Sequence, residues 1–400
     1  MSDSVTVTSS QSWFSRIIGS IKSVLVGLAL FILSFPVLFW NEGRAVQTAR
    51  SLEEGAGSVV SVKADAVDTA QEGKLVHVTG PVSTEAPLTD PEFGVEADGV
   101  KLVRTVEMFQ WKEEEKSETR KKLGGGEETV KTYTYEKAWS DDAIDSSSFQ
   151  QSGGHENPGA FPIEGNTVVA DPVHVGAFTL SAEQIAQLSN GQELPVTEAM
   201  LEQVPEPMVS QVQVSGGRFY WGEDPASPQI GDVRISFQVV KPDTLSLVGV
   251  QTGETFAPYQ AKAGDAILLV EEGTQTADQM FATAQSRNTV MTWILRGGGF
   301  LMMFIGLLAV FKPISVFADV VPLFGTLLGA GLGVFAFLLS FALSLITIAV
   351  SWIFVRPLLG MVLLGLALGG LFWLLAIGRK KKRQRMGVPA SVPPPPPLPA

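Results

Sequence analysis

From Val290 to Gly378 the chain is almost entirely apolar, and the stretch is closed by Arg379-Lys380-Lys381-Lys382-Arg383. A block of this length and composition is at home only in a bilayer, where a helix needs about 20 apolar residues to cross. A second such run lies near the start, where Ser23 to Trp40 is 18 residues without a charge. At about 1.5 Å per residue it covers roughly 27 Å, close to the thickness of the hydrocarbon. It exceeds the usual apolar core of a signal peptide and no small-x-small site follows, so it reads as an uncleaved anchor. Arg16 and Lys22 precede it, which places the segment 1–22 in the cytoplasm and the first span at 23–40. Residues 1–12, rich in Ser and Thr, are expected to be disordered, and Pro36 to kink the last turn of the span.

The C-terminal block divides at its charges and prolines. The second span is 290–311, with Arg296 near its start and Lys312-Pro313 at its end. Pro322 to Val355 is 34 residues without a charge, too long for one simple crossing. The economical division makes 312–333 a cytoplasmic interfacial or re-entrant segment and 334–355 the third span. Arg356-Pro357 forms a turn, 358–378 is the fourth span, and 379–400 is a basic, then proline-rich cytoplasmic tail. Both termini are then cytoplasmic, the number of spans is even, and the segment 41–289 faces the other side.

That middle segment is acidic. Residues 45–289 hold 38 of the 41 Asp and Glu but 17 of the 29 Lys and Arg, so the net charge of −12 divides into −21 there and +9 elsewhere. An acidic domain argues against a nucleic-acid partner, since phosphate binding needs clustered Lys and Arg. Its pattern is mainly strands, at 74–81, 101–111, 129–139, 167–170, 209–214, 217–221, 232–240, 245–250 and 266–270. Residues 112–128, dense in charge around Gly124-Gly125-Gly126, read as the exposed tip of a hairpin joining 101–111 to 129–139. Ser181 with Gln184 and Thr276 with Gln279 are capping boxes that open helices. The fold class is therefore a multi-pass α-helical membrane protein, four transmembrane helices with a large mainly-β (α+β) extramembrane domain between the first and second. With no cysteine and with His77, His155 and His174 far apart, no metal or cofactor is expected, and no nucleophile, zinc or phosphate-loop motif appears.

Two sets of residues stand out in the spans. Gly325, Gly329 and Gly333 repeat every fourth residue, as do Gly365 and Gly369, a spacing that lets helix backbones approach closely. Ser340, Ser344 and Ser351 fall near one face of the third span, where they could bond across helices. At the outer face the topology gathers Glu42, Arg44, Arg296 and Arg356, against the positive-inside bias. Glu42 is expected to pair with Arg296 or Arg356, with the surplus arginines on lipid phosphates; simple snorkelling of each side chain is the alternative.

Asn41-Glu42-Gly43-Arg44-Ala45, then Thr48-Ala49 and Ser51-Leu52, resembles the segment after the first span in the LUMA, or transmembrane protein 43, family. The likeness continues through Gly73-Lys74-Leu75-Val76-His77, Leu88-Thr89-Asp90-Pro91, Val106-Glu107-Met108-Phe109-Gln110-Trp111 and Asn157-Pro158. It returns at Arg218-Phe219-Tyr220, Gly231 to Phe237, Thr292-Trp293, Leu295-Arg296, Arg356-Pro357-Leu358 and Gly365 to Leu368, and so covers roughly 25–378. The resemblance implies a four-span protein with a large lumenal domain. It also implies a non-enzymatic scaffold that self-associates and, in eukaryotic members, joins lamin- and emerin-type partners.

The chain departs from the family at 322–333 and in its tail. The tail, and the lack of an Asn-x-Ser/Thr acceptor in 45–289, point to a bacterial inner membrane with a periplasmic domain. The alternative is the endoplasmic reticulum and inner nuclear membrane with the domain in the lumen. Membrane lipids, other copies of the chain and other membrane proteins are the expected partners. A lipid-binding protein using the outer arginines, and an accessory subunit of a membrane hydrolase or protease, are the competing functions.

Overall fold

The computed structural model describes residues 3–206 and 208–356; the expected fourth span, with Gly365 and Gly369, lies outside them. Three helices are long and apolar enough to cross a membrane: α1, Trp13–Ser58; α2, Ala277–Ala318; and α3, Pro322–Val355. Each starts where the sequence supplies a boundary. Ser12 caps α1 through its hydroxyl, which accepts from the Ser15 N–H (3.3 Å). Thr276 and Gln279 close both bonds of the capping box of α2 (3.3 and 2.8 Å), and Pro322 occupies the first turn of α3. The second capping box, Ser181 with Gln184, also forms and opens the short helix Ala182–Ala186.

The helices overrun the expected spans. α1 continues 18 residues past Trp40, so 41–58 is helix rather than the start of the β domain, and Pro36 lies in mid-helix rather than in a last turn. α2 runs through Lys312-Pro313 to Ala318, and α3 is one continuous helix. The expected boundary at 333/334 does not coincide with a helix end; the break between helices falls at 319–321. The reason is geometric: bilayer thickness limits the apolar length that needs lipid, not the length of a helix that packs on neighbours beyond it.

One strand, β1, Asp3–Gln11, precedes α1, and between α1 and α2 the chain is mainly β. The strands there include β2, Leu75–Thr84; β3, Lys101–Lys121; β4, Glu127–Ser140; β5, Val233–Val240; and β6, Thr244–Thr252. One eight-stranded sheet runs β1-β4-β3-β5, then Arg218–Trp221 and Val212–Ser215. A seven-stranded sheet centres on β2 and β6, with Val60–Lys63 parallel to β2 and Leu269–Glu272 on β6. The two sheets share one apolar core that includes Val76, Val78, Val106, Met108, Phe219, Ile235, Phe237, Leu245 and Leu247. A smaller cluster, Leu52, Leu75, Val248, Ile267, Met280 and Phe281, seats the end of α1 and the start of α2 on the second sheet. The helices and the domain are therefore joined by apolar packing as well as by the chain.

Residues 3–11, within the segment expected to be disordered, form the strand β1. It pairs antiparallel with β4, Asp3 opposite Tyr135 and Gln11 opposite Glu127. The alternation of Val5 and Val7 with Thr6 and Thr8 suits a strand, but its partners lie 116 to 132 residues away. β3 and β4 form the expected hairpin, longer than expected. Its first ten residues alternate between buried and half-buried, whereas 112–121 are mostly exposed on both faces. This distal half is a polar arm.

The arm's tip touches the far end of the helices. Arg16 donates to the Gly125 carbonyl (2.5 Å) and pairs with Glu127 and Asp319 (2.6 Å each). Lys121 reaches the other Asp319 oxygen (2.6 Å), and the Gly124 N–H donates to the Val320 carbonyl (3.2 Å). At the tip Leu123 is fully displayed, whereas Gly125 is buried under Trp13.

Candidate functional site

At the opposite end, where the helices enter the domain, the sequence Asn41-Glu42-Gly43-Arg44 meets a polar stripe on α2. Glu42, only 2% exposed, accepts both arms of the Arg296 guanidinium (2.6 and 2.8 Å). Its second oxygen also accepts from the indole N–H of Trp352 on α3 (2.7 Å). One carboxylate thus ties all three helices together. The Arg296 guanidinium lies over the Trp293 ring (4.7 Å to its centre) and farther from that of Trp352 (5.9 Å), so its faces meet π density while its edge is paired.

The other two expected members behave differently. Arg44 does not reach Glu42. It donates to Asn288 (3.1 Å), Asn41 (3.3 Å) and Thr292 (3.0 Å), all neutral, and its Nε is buried without an acceptor among the described residues. Arg356 follows the last turn of α3, its N–H bonded to the Trp352 carbonyl (2.8 Å). It lines a cavity of about 140 Å³ together with Glu42, Trp293, Arg296 and Trp352. Asn41 and Asn288 complete the α1–α2 seam: the Asn41 amide donates to the Thr292 carbonyl (3.1 Å), and the Asn288 amide to that of Ala45 (3.0 Å).

Sequence reasoning missed Asn41, Asn288, Thr292 and Trp352. A signal was present for three of the four. Gln285, Asn288, Thr292, Arg296 and Gly299 recur at three- and four-residue steps and mark one face of α2, the face that meets Asn41. The tryptophan lacks such a signal, because its position opposite Glu42 depends on how α3 returns along the bundle.

The small residues divide likewise. The close α1–α2 approach is at Gly27 and Gly306, where a Cβ on Gly27 would sit 2.6 Å from the Ala309 Cβ and 2.7 Å from the Gly306 carbonyl. In the predicted ladder, Gly325 lies against Asp319, a Cβ on Gly329 would stand 3.6 Å from the Ser315 hydroxyl, and one on Gly333 would meet nothing within 4 Å among the described residues. Ser351 donates across helices to the Phe39 carbonyl (3.2 Å). Ser344 bonds within its own helix (3.0 Å to the Phe341 carbonyl), and the buried Ser340 hydroxyl has no partner among the described residues.

These features define an integral membrane protein in which a mainly-β domain sits between the first and second of three apolar helices and is fastened to them by a polar seam. Comparison with known proteins gives the particular family. A model described as Transmembrane protein 43 matches residues 108–357. Transmembrane protein 43 of Mus musculus is 36% identical over 365 residues, 88% of this chain and 90% of the mouse protein. The Homo sapiens protein is 36% identical over 374 residues, 90% and 92% of the two chains. The Drosophila melanogaster homolog is 33% identical over 352 residues, 85% and 90%. The chain belongs to the transmembrane protein 43 family. No solved structure matches. These relatives are animal proteins, and they give no support to a bacterial inner membrane; an integral membrane location stands.

Proposed function

We propose that this chain is a membrane scaffold that self-associates through its spans and holds the β domain on the side opposite its N-terminus. One observation carries the reading most directly. α1 and α2 run without a break from the apolar belt into the domain, and Glu42 locks both to α3 at the junction. A domain held this way keeps a set orientation to the membrane, as a scaffold requires. The face at Gly331 and Gly333, uncovered by any of the described residues, offers a close-approach surface for a further helix, whether the fourth span or a second copy. Native mass spectrometry of the full chain in mild detergent tests the reading: defined oligomers are expected, and a single monomeric species overturns self-association.

This orientation excludes both the contact at the arm's tip and the pairing of β1 with β4. Along α1, Arg16 and Glu42 are about 39 Å apart, and residues 111–121 of β3 extend roughly 33 Å, so the arm would lie at the depth of the spans. There Lys112, Lys116 and Arg120 would each cost about 2.5–3.5 kcal/mol in lipid, with Glu113, Glu114, Glu115 and Glu118 adding to the sum. In the bilayer the arm stays with the domain and Arg16 faces lipid headgroups.

The cavity beside Arg296 and Arg356 favours a second reading, in which the outer arginines hold lipid phosphate. Arg356→Gln should then lower the amount of phospholipid that co-purifies. Unchanged lipid would refute that reading and leave the scaffold untouched.

A further inference from the structure

A second cavity lies on the other side of the seam, between α1, α2 and the strand edge at 265–269. Its volume is about 370 Å³, within the ~300–1,000 Å³ common to ligand sites. Leu52, Ile267, Leu268, Leu269 and Met291 give it an apolar wall, and Arg44 and Asp265 give it two charges. Neither charge has an opposite partner among the described residues. Arg44 bonds only to neutral groups and keeps its buried Nε free. The Asp265 carboxylate accepts from Gln47 and Thr48 (2.6 Å each) and from no cation. The other charged side chain on the wall, Arg287, is already paired with Glu271 (2.9 Å).

We propose that this cavity binds the headgroup of a zwitterionic phospholipid carrying a primary ammonium, its phosphate on Arg44 and its ammonium on Asp265. Three observations converge on that chemistry. A cation and a carboxylate line one cavity, and a phosphoethanolamine group carries the complementary pair. Arg44 stands two residues beyond Glu42, where α1 leaves the apolar belt, so the cavity lies at headgroup depth. From Met291 on its wall, the exposed Met291, Ile294, Leu301 and Ile305 continue along α2 toward the membrane interior at helical spacing, a rail for an acyl chain. An anionic lipid would satisfy Arg44 but meet Asp265 unpaired. A choline lipid would supply charge but no N–H donor. The inference rests on placing the outer helix ends at the membrane surface, and is independent of self-association.

The test uses the full chain in detergent, with phosphatidylethanolamine, phosphatidylcholine or phosphatidylglycerol added singly and retention read by native mass spectrometry. Phosphatidylethanolamine should be retained about tenfold better than the other two. Arg44→Gln should lower retention of all three, whereas Asp265→Asn should abolish the preference for phosphatidylethanolamine and raise retention of phosphatidylglycerol. Met291→Trp, which fills the cavity and leaves the polar seam alone, should displace the lipid without lowering the melting temperature. Equal retention of the three lipids, or a preference unaltered in Asp265→Asn, overturns the proposal. Loss on Arg356→Gln with none on Arg44→Gln assigns the lipid to the other cavity and also overturns it.

Discussion

Truncating Arg296 should cost more than truncating Glu42, although the two form one pair. Glu42 is 2% exposed, and with Arg296→Ala its carboxylate keeps only the Trp352 N–H. Breaking a buried pair from that side costs about 3–5 kcal/mol. Arg296 is better placed to survive alone: its side chain is 18% exposed and stacks on Trp293. It can also extend toward the headgroups, so Glu42→Ala should cost about 1–3 kcal/mol. Replacing both with leucine removes both charges, and the change should be near neutral apart from about 1 kcal/mol for the Trp352 N–H. A double-mutant cycle on unfolding in mild detergent measures these terms. Equal single costs that add within about 0.5 kcal/mol in the double variant would refute the reasoning, because residues in contact must couple.

Three further outcomes follow from particular contacts. The exchange Glu42→Arg with Arg296→Glu should recover part of the stability that either change alone removes, as read by the same unfolding assay; no recovery would mean that the Trp352 and Trp293 contacts fix the polarity of the pair. Gly27→Val should weaken the α1–α2 seam by about 1–3 kcal/mol through overpacking against Ala309 and Gly306, visible as a lower melting temperature, whereas Gly333→Val should be silent in a monomer. Burial holds His77 below the ordinary imidazole range, outweighing the bond to the Gln275 carbonyl. The unfolded chain then binds its proton first, so stability should fall as pH drops through about 6.5 and level off below the folded value. His77→Gln should flatten that limb in pH-dependent melting.

The local parts of this architecture were legible in the sequence. Both capping boxes, the apolar runs and the alternation in 101–111 are written in neighbouring residues, and the structure forms each of them. For Glu42 the sequence offered Arg296 or Arg356 as a partner, and the structure pairs it with Arg296. What the sequence concealed depends on distant partners. Trp352 needs the return of α3, and the start of α3 packs on the end of α2, where Gly325 lies against Asp319. The protein ligands of Arg44 were concealed as well, because they are neutral amides and hydroxyls, which carry no charge pattern.

The sidedness of the domain decides the most. The chain has no cysteine, so single cysteines can be placed at Ser9 on β1, at Lys116 on the arm and at Ser227 in the domain, then probed in sealed vesicles with a membrane-impermeant maleimide. Labelling of Lys116→Cys and Ser227→Cys from one side, and of Ser9→Cys only from the other, is the expected result. Labelling of all three from the same side would contradict it, and would mean that β1 stays paired with β4 and that α1 does not cross the bilayer as proposed.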